Sequence, residues 1–411
     1  MTGRLSPQDF TPPAPLAKDL LSQWLLRPDI AFLNHGSFGA TPRSVMEEQD
    51  QWRRRIEAEP IELLGRREPE LIAAAKLPLS ELLHMRPQDF GLVTNATEGI
   101  NAVLNSLHFN PGDELLTTTH VYNAVRQAMR HTALRHGATY REIDVPTPVQ
   151  SRSEIAQHIL DQLSDLTRLL VIDHITSPTA LIFPIEEIIA GCKARGVEVM
   201  VDGAHAPGMI DLDVPRTGAT YYAGNLHKWA CAAKGCAFVW IAPHRAADIH
   251  PCVVSHLYGQ SLSDEFSWQG TRDISAWLAL PAALQFMSNL GWERVRAHNH
   301  ALAVWAHKML CERFQVPPMS PFDGHLLGAT ATVALPGRLA SMTDDQGKAL
   351  QQSLYTEDRI EVPLIRWQDT WHLRVSCQVY NHPADYHRLA DAIEARARGS
   401  SQASSLTRRI P

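Results

Sequence analysis

The run Val199-Met-Val-Asp202-Gly-Ala-His205-Ala, followed further along by Asn225-Leu-His227-Lys228-Trp229, decides the fold. Three apolar residues directly ahead of Asp202 read as a short buried strand, and parallel sheets hold their ligands beyond the carboxyl ends of the strands. Asp202 therefore projects toward a crevice. A carboxylate there keeps a pyridine nitrogen protonated, because opposite charges at close range favour the ionised form of both groups. Lys228 offers the complementary chemistry, a primary amine that condenses with an aldehyde once burial or a neighbouring cation lowers its pKa. Lys234, in Ala232-Ala-Lys-Gly-Cys236, meets the same description, and composition does not choose between the two. Taken singly, an Asp after a strand is as readily a helix cap or a turn residue.

Outward from these stretches, short apolar runs alternate with amphipathic ones. Strands are expected at 90–94, 114–118, 169–175, 198–201, 221–223 and 237–241, and helices at 99–107, 124–136, 153–163 and 185–195. That alternation predicts an α/β region, a largely parallel sheet covered on both faces. Ahead of it, 44–67 reads as an exposed helix broken at Pro60. Beyond Trp277 a long helix leads to strands at 330–335 and 371–376 and a helix at 383–398, the outline of a smaller α+β domain. The expected organisation is an N-terminal arm (1–28), a large cofactor-binding domain (29–285), a small C-terminal domain (286–398) and a Ser-rich, disordered tail (399–411).

Composition narrows the partners. A chain of 411 residues with 45% hydrophobic and 20% charged residues has ample material for more than one core. A net charge of −6 without a basic run gives no footprint for nucleic acid, and neither a signal-like apolar segment nor a membrane-length one is present. The expectation is a cytoplasmic protein with a small-molecule partner. Six cysteines without a C-x-x-C pair support neither a zinc site nor a disulfide framework, so no metal is expected.

Two further segments bear on the site. Asn95-Ala96-Thr97-Glu-Gly99 opens an amphipathic helix after the strand at 90–94, and the free N–H groups of a helix N-terminus bind anions such as phosphate; a plain capping role explains the same residues. Arg374 interrupts an apolar strand pattern in His372-Leu-Arg374-Val-Ser376, where a buried guanidinium needs either an internal ion partner or a ligand carboxylate.

Asp202-Gly-Ala-His205 together with Asn225-Leu-His227-Lys228-Trp229 resembles the cofactor signature of the class V aminotransferase family, pyridoxal-phosphate enzymes of fold type I, and the resemblance runs from Leu33 to about Asn381. It implies a mostly parallel sheet of the seven-stranded type flanked by helices. It implies that Lys228 and not Lys234 carries the cofactor as a Schiff base, that Asp202 meets the pyridine nitrogen and that His205 lies near the phenolic oxygen. Ala96, Thr97, His227 and Asn225 would hold the phosphate. Tyr122, with His120 as its competitor, would stack on the ring, and Thr176 or Ser177, of which Ser177 is taken for the site, would approach the ring oxygen. Arg374 would grip the substrate carboxylate. Gln269-Gly-Thr271-Arg-Asp273 resembles the segment through which a partner subunit reaches the phosphate, which implies a homodimer with shared sites.

Leu33-Asn34-His35-Gly36-Ser37-Phe38-Gly39, with 268–273 and 374–381, resembles the isopenicillin N epimerase-like group within that family, and places Asn34 and His35 on the substrate side. Its glycines allow a tight turn with the backbone close to a ligand. Cysteine desulfurases carry a mobile-loop Cys ahead of the C-terminal strands, and no Cys occurs between Cys311 and Cys377. The expected activity is chemistry at Cα of an amino acid or its derivative, as in an epimerase. A C–S lyase on a cysteine derivative and a transaminase are the alternatives. A non-catalytic relative of the fold is the reading from a different class, and intact Lys228 and Asp202 stand against it.

Overall fold

A computed structural model describes residues 11–16 and 19–399. The tail expected to be disordered therefore falls, from Ser400 on, outside the described residues, as do the first ten residues of the arm. In chain order the strands are β1 (Ala31–Phe32), β2 (Phe90–Val93), β3 (Glu114–Thr118), β4 (Thr139–Ile143), β5 (Thr167–Asp173), β6 (Glu198–Asp202), β7 (Tyr221–Asn225), β8 (Ala237–Ile241), β9 (Thr330–Ala334), β10 (Ile360–Glu361), β11 (Leu364–Trp367) and β12 (Thr370–Ser376).

Seven of them form one sheet in the order β2-β8-β7-β6-β5-β3-β4. The run from β7 to β4 is parallel, and β8 is antiparallel to both β7 and β2. Alternation along the central strands buries both faces: Leu170, Ile172, Val199 and Val201 enter one apolar core, Leu169, Val171 and Met200 the other. Every second residue thus has a dry environment on its own side, which is why these strands read as unbroken apolar runs. The strand expected at 169–175 ends two residues earlier, at Asp173. β4 was not expected from sequence; Thr139, Tyr140, Arg141 and Glu142 are exposed or half-buried on the sheet edge, so no apolar run announces it.

The C-terminal elements enclose a separate core around the antiparallel sheet β11-β12-β9, covered by the helices Trp292–Phe314 and Pro383–Arg398. The single long helix expected beyond Trp277 is three: Ser275–Leu278, Leu280–Leu290 and Trp292–Phe314. The last break falls at Gly291, whose φ of 85° ends the preceding turn. Near the N-terminus the helix is Arg43–Ala58, and beyond it, past Pro60, lies a π-type turn, Ile61–Arg66.

The turn His35–Phe38 ties these parts together. Leu33 O accepts from Ser376 N at 2.8 Å, and Gly36 N donates to Ser376 Oγ at 2.9 Å. Gly39 then leaves the turn at φ 70°, where a Cβ would stand 1.8 Å from the His227 carbonyl oxygen. The close approach of this glycine-bearing loop is thus to the backbone beside Lys228. Gly39→Ala should cost about 2–4 kcal/mol, combining left-handed strain with a steric overlap that neither backbone can relieve. Gly112, at φ 92° with nothing within 4 Å of its would-be Cβ, serves as control; there alanine meets only backbone strain, about 1 kcal/mol. Thermal denaturation of both variants checks this, and equal shifts in midpoint would count against the contact.

Candidate active site

The parallel strands deliver the expected residues to one edge. Asp202 ends β6, Asn225 ends β7 with His227 and Lys228 immediately beyond it, and Tyr122 and Ser177 follow β3 and β5. Going outward from β3 the chain order runs to β4 on one side and to β5, β6 and β7 on the other, so the sheet reverses its order between β3 and β5. Loops diverge at such a reversal and leave a crevice. A cavity of about 430 Å³ lies there, lined by Ala96, Thr97, Tyr122, Ser177, Asp202, His205, Asn225, His227 and Lys228 among others.

Lys228 is the chemical centre. Its ammonium form is starved of water, and the Arg374 guanidinium adds repulsion that Asp202 and Asp173 only partly offset; its pKa falls to about 7. Its Nζ is 3.2 Å from His205 Nε2. The Trp229 indole N–H donates to His205 Nδ1 at 3.4 Å. An indole only donates, so Nδ1 accepts and the proton of the neutral ring sits on Nε2, facing the Lys228 lone pair. Burial and the neighbouring Lys228 and Arg374 hold His205 neutral, with its pKa well below the usual imidazole range. Lys234 also lines the cavity, but its Nζ donates to Thr41 Oγ1 at 3.1 Å and it carries no comparable imidazole contact.

Asp202 is buried, accepts the Ala204 N–H at 3.0 Å, and has its pKa raised chiefly by burial. At the opposite end, Asn95 caps the helix Ala96–Ser106 by accepting from Glu98 N at 2.9 Å, while Asn225 Oδ1 accepts from Ala96 N at 2.8 Å. His227 Nδ1 is spent on Cys236 O at 3.2 Å, which leaves Nε2 for the cavity; burial lowers this ring's pKa to about 4. The helix N-terminus and the Thr97 hydroxyl suit a phosphate, Asp202 a pyridine nitrogen and the unprotonated Lys228 amine an aldehyde, all within a cavity of ligand size. The residues present fit pyridoxal phosphate.

Arg374, on β12, points into an adjoining cavity of about 450 Å³ that shares Lys228, Tyr122, Ser37 and Ser177 with the first. Its Nη1 donates to Ser177 O at 2.6 Å and Ser177 Oγ at 2.9 Å, its Nη2 to Ser37 Oγ at 3.2 Å, and its Nε has no partner among the described residues. Burial lowers its pKa to about 10, so it stays charged at neutral pH. None of these partners is anionic.

Other expected residues lie elsewhere. His120 is away from the cavity, bonded to Thr179 Oγ1 at 2.7 Å and Val145 O at 2.9 Å, whereas Tyr122 lines it and is half exposed. Thr176 turns its hydroxyl to Thr179 Oγ1, 2.7 Å, and Ser177 takes the cavity side. His35 sits behind the site: its Nε2 donates to Lys228 O at 3.0 Å and its Nδ1 accepts from Tyr380 Oη at 2.7 Å. Asn34 donates to Glu361 Oε1 at 2.9 Å. In their stretch it is Ser37 that meets both Arg374 and the cavity. Thr271 is exposed and outside the cavity of its own chain. Sequence reading missed Ser37 and Asp173; the signal for Asp173 was its place beside Asp202, since both are the last residues of adjacent strands. Among the described residues no group of three His, Cys, Asp or Glu could hold a metal ion, and no helix is long and apolar enough to cross a membrane.

Comparison with known proteins agrees with this geometry. The family described as "Aminotransferase class-V" matches residues 35–351. The chain is 32% identical over 387 residues to isopenicillin N epimerase of Streptomyces clavuligerus, covering 90% of this chain and 96% of that one. It is 31% identical over 408 residues to a probable chloroplastic L-cysteine desulfhydrase of Arabidopsis thaliana, covering 92% and 86%. Among solved structures, the apo cysteine desulfurase of Thermococcus onnurineus NA1 superposes with a TM-score of 0.79 at 17% identity, covering 95% of this chain and all of that one, a likeness of fold. With a family match spanning most of its length and a lysine, an aspartate and a helix N-terminus set around one cavity, the chain belongs to the class V aminotransferase family of pyridoxal-phosphate enzymes.

Proposed function

We propose that this enzyme binds the carboxylate of an amino acid at Arg374 and acts on its Cα with Lys228 as base, inverting the centre as an isopenicillin N epimerase-like isomerase. The observation that carries the reading is the buried Arg374 guanidinium, one cavity wall from Lys228, whose partners are two serines and no anion. A fully buried cation is held at a cost unless a counter-charge arrives, and the substrate carboxylate is that counter-charge.

Bound pyridoxal phosphate supplies the electron sink for a pair released at Cα. Asp202 would hold the pyridine nitrogen, Thr97, the Ala96 turn, Asn225 and His227 the phosphate, and Tyr122 one ring face. Ser37 and Ser177 orient the Arg374 fork, and the fork fixes which Cα bond faces Lys228. With a pKa near 7, the Lys228 amine is poised to take the Cα proton on its own face, and inversion requires that a different donor, water in the open cavity, return one to the opposite face. His205 holds the amine in its neutral form by donating to it.

Expulsion of a β-substituent, as in a C–S lyase, is the second reading, favoured by the nearly equal identity to the Arabidopsis desulfhydrase. It needs no proton delivered to the opposite face. Incubation with L- and D-amino acids and S-substituted cysteines in deuterated water separates the two: epimerisation gives deuterium at Cα with loss of chirality, and elimination gives pyruvate and a thiol or sulfide. We further propose a cytoplasmic homodimer with shared sites, in which the partner's copy of the exposed Thr271 segment completes the phosphate end; six unpaired thiols suit a reducing compartment.

Four outcomes test these roles. Borohydride trapping and peptide mapping should place the cofactor on Lys228. The rate of cofactor uptake by apoenzyme should climb with pH up to about 7 and level off above it, since only the neutral amine condenses. A plateau reached only several pH units higher, or an adduct on Lys234, refutes the assignment.

Arg374→Ala should weaken amino-acid binding by about 2–5 kcal/mol with the cofactor retained, and Arg374→Lys should recover only part of this, because a point charge cannot form two parallel hydrogen bonds. Unchanged amino-acid affinity in a folded Arg374→Ala protein would rule out the carboxylate role.

Mixing Lys228→Ala with Thr271→Ala subunits should restore up to about a quarter of wild-type activity, since half of random dimers are mixed and each keeps one intact site. A fully active monomer by light scattering excludes the shared site.

A further inference from the structure

Asp173 and Asp202 are the last residues of β5 and β6, and they are directly paired in register across those parallel strands. Neighbouring strands lie about 4.8 Å apart, and paired residues direct their side chains to the same face. Both carboxyl groups are buried, 2% and 4% exposed, and both line the cofactor cavity. Asp202 has the Ala204 N–H and the charge of Lys228 to support an anion. Asp173 is supported differently: its Oδ2 has no hydrogen-bond partner among the described residues, and the groups that favour its anion are two backbone N–H groups, its own and that of Tyr122, and the more distant Arg126.

The charges around Asp173 come from three elements. Asp202 stands on β6, Arg126 on the helix Asn123–His136, and Lys228 beyond β7. Arg126 is already committed to Glu142, through Nε at 2.9 Å and Nη2 at 3.2 Å. Lys228 is close to neutral at physiological pH and is the group that the cofactor consumes. Two anions side by side would thus face each other in a dry site with no free cation of their own among the described residues. One proton shared between them removes the repulsion and converts the unpartnered oxygen into a donor. Burial and the Asp202 charge both push Asp173 well above the usual carboxylate range, while Asp202 retains the stronger anion supports.

We propose that Asp173 is a positioning residue that stands protonated beside Asp202, donates its proton in a hydrogen bond to it, and leaves the pair with a single negative charge placed on Asp202. Asp173 touches no reacting atom. It fixes the orientation of the Asp202 carboxylate and keeps the charge offered to the cofactor ring at one. The state of the pair is independent of which reaction the enzyme performs; its consequence for the cofactor rests on Asp202 holding the ring, as read above.

Infrared spectra of the holoenzyme, with and without carboxyl-13C aspartate, test the pair directly. At neutral pH the wild type should show a protonated-carboxyl C=O band that shifts on labelling and vanishes in Asp173→Asn. Pyridoxal-phosphate affinity, measured by equilibrium dialysis, should stay within about threefold in Asp173→Asn and Asp173→Ser, which keep an uncharged donor, and fall by about tenfold in Asp173→Leu, which does not. A wild type without the band overturns the proposal whether or not any variant folds. Persistence of the band in Asp173→Asn moves the proton to another group and overturns it too, as does a tenfold loss of cofactor affinity in Asp173→Asn, which would mean that a charge is required there. Failure of the epimerase or lyase reading would leave the band in place, so the two are separable.

Discussion

Lys228 must be dry to be useful, and the rest of the structure supplies that dryness. An amine in water near neutral pH is almost wholly protonated and can neither condense with an aldehyde nor accept a proton. Here burial and the Arg374 guanidinium bring the pKa down from 10.5 to about 7, against the opposing pull of the paired Asp202 and Asp173. That pull is the single charge of the Asp173–Asp202 pair, and on the proposed reading it cannot be dispensed with, since Asp202 would hold the ring. Arg374 on the proposed reading has two effects: it would attract a substrate carboxylate, and its charge keeps the amine unprotonated until that carboxylate arrives. The lysine is depressed most while the site awaits its substrate.

Such an arrangement depends on the sheet order. Parallel strands bring residues separated by a hundred positions in sequence to one edge, and the reversal between β3 and β5 opens the space above them. β8, antiparallel between β7 and β2, closes the far side: Val239 and Phe238 lie against β7 and β2 and let the helix Ala96–Ser106 present its N-terminus to the same cavity. The anion-binding end and the carboxylate end of the cofactor site are thus set by strands that are distant in sequence and share one rigid sheet.

Much of this was legible because buried parallel strands leave apolar runs that end in polar residues, as Val199-Met-Val-Asp202 does. β3 and β8 agree with their apolar runs residue for residue. β4 was not legible, since an edge strand need bury only part of its surface and Tyr140, Arg141 and Glu142 disguise it. Asp173 was lost for a related reason. The apolar pattern continues through Ile175, so a strand drawn to that point hides the carboxylate in its interior, although the ladder stops at Asp173. In the stretch 34–39, side-chain direction was the missing information: the residues at 35 and 37 fall on opposite sides of a single helical turn, which sends His35 into the protein and Ser37 toward Arg374.

That turn also explains how two cavities built on different sheets stay in register. Arg374 belongs to the C-terminal sheet and Lys228 to the loop beyond β7, and their separation is set by what bridges the two sheets: the Ser177 loop after β5, which accepts from Arg374, and this turn. The turn touches both. On one side it bonds Ser376 through Leu33 O and Gly36 N and holds Arg374 through Ser37; on the other it supports Lys228 O through His35 and packs Gly39 against the His227 carbonyl. His35 can do this because burial holds it neutral, with a pKa of about 3, and the Lys228 carbonyl, which can only accept, fixes the proton on Nε2 and leaves Tyr380 to donate to Nδ1. A protonated ring would still donate to Lys228 O but would turn the Tyr380 hydroxyl from donor to acceptor and place a second cation, with Arg374, beside the amine. The neutrality of His35 is therefore coupled to the depressed pKa of Lys228, and the residues that looked like substrate contacts in the sequence act one layer behind, holding the base and the carboxylate anchor at a fixed spacing.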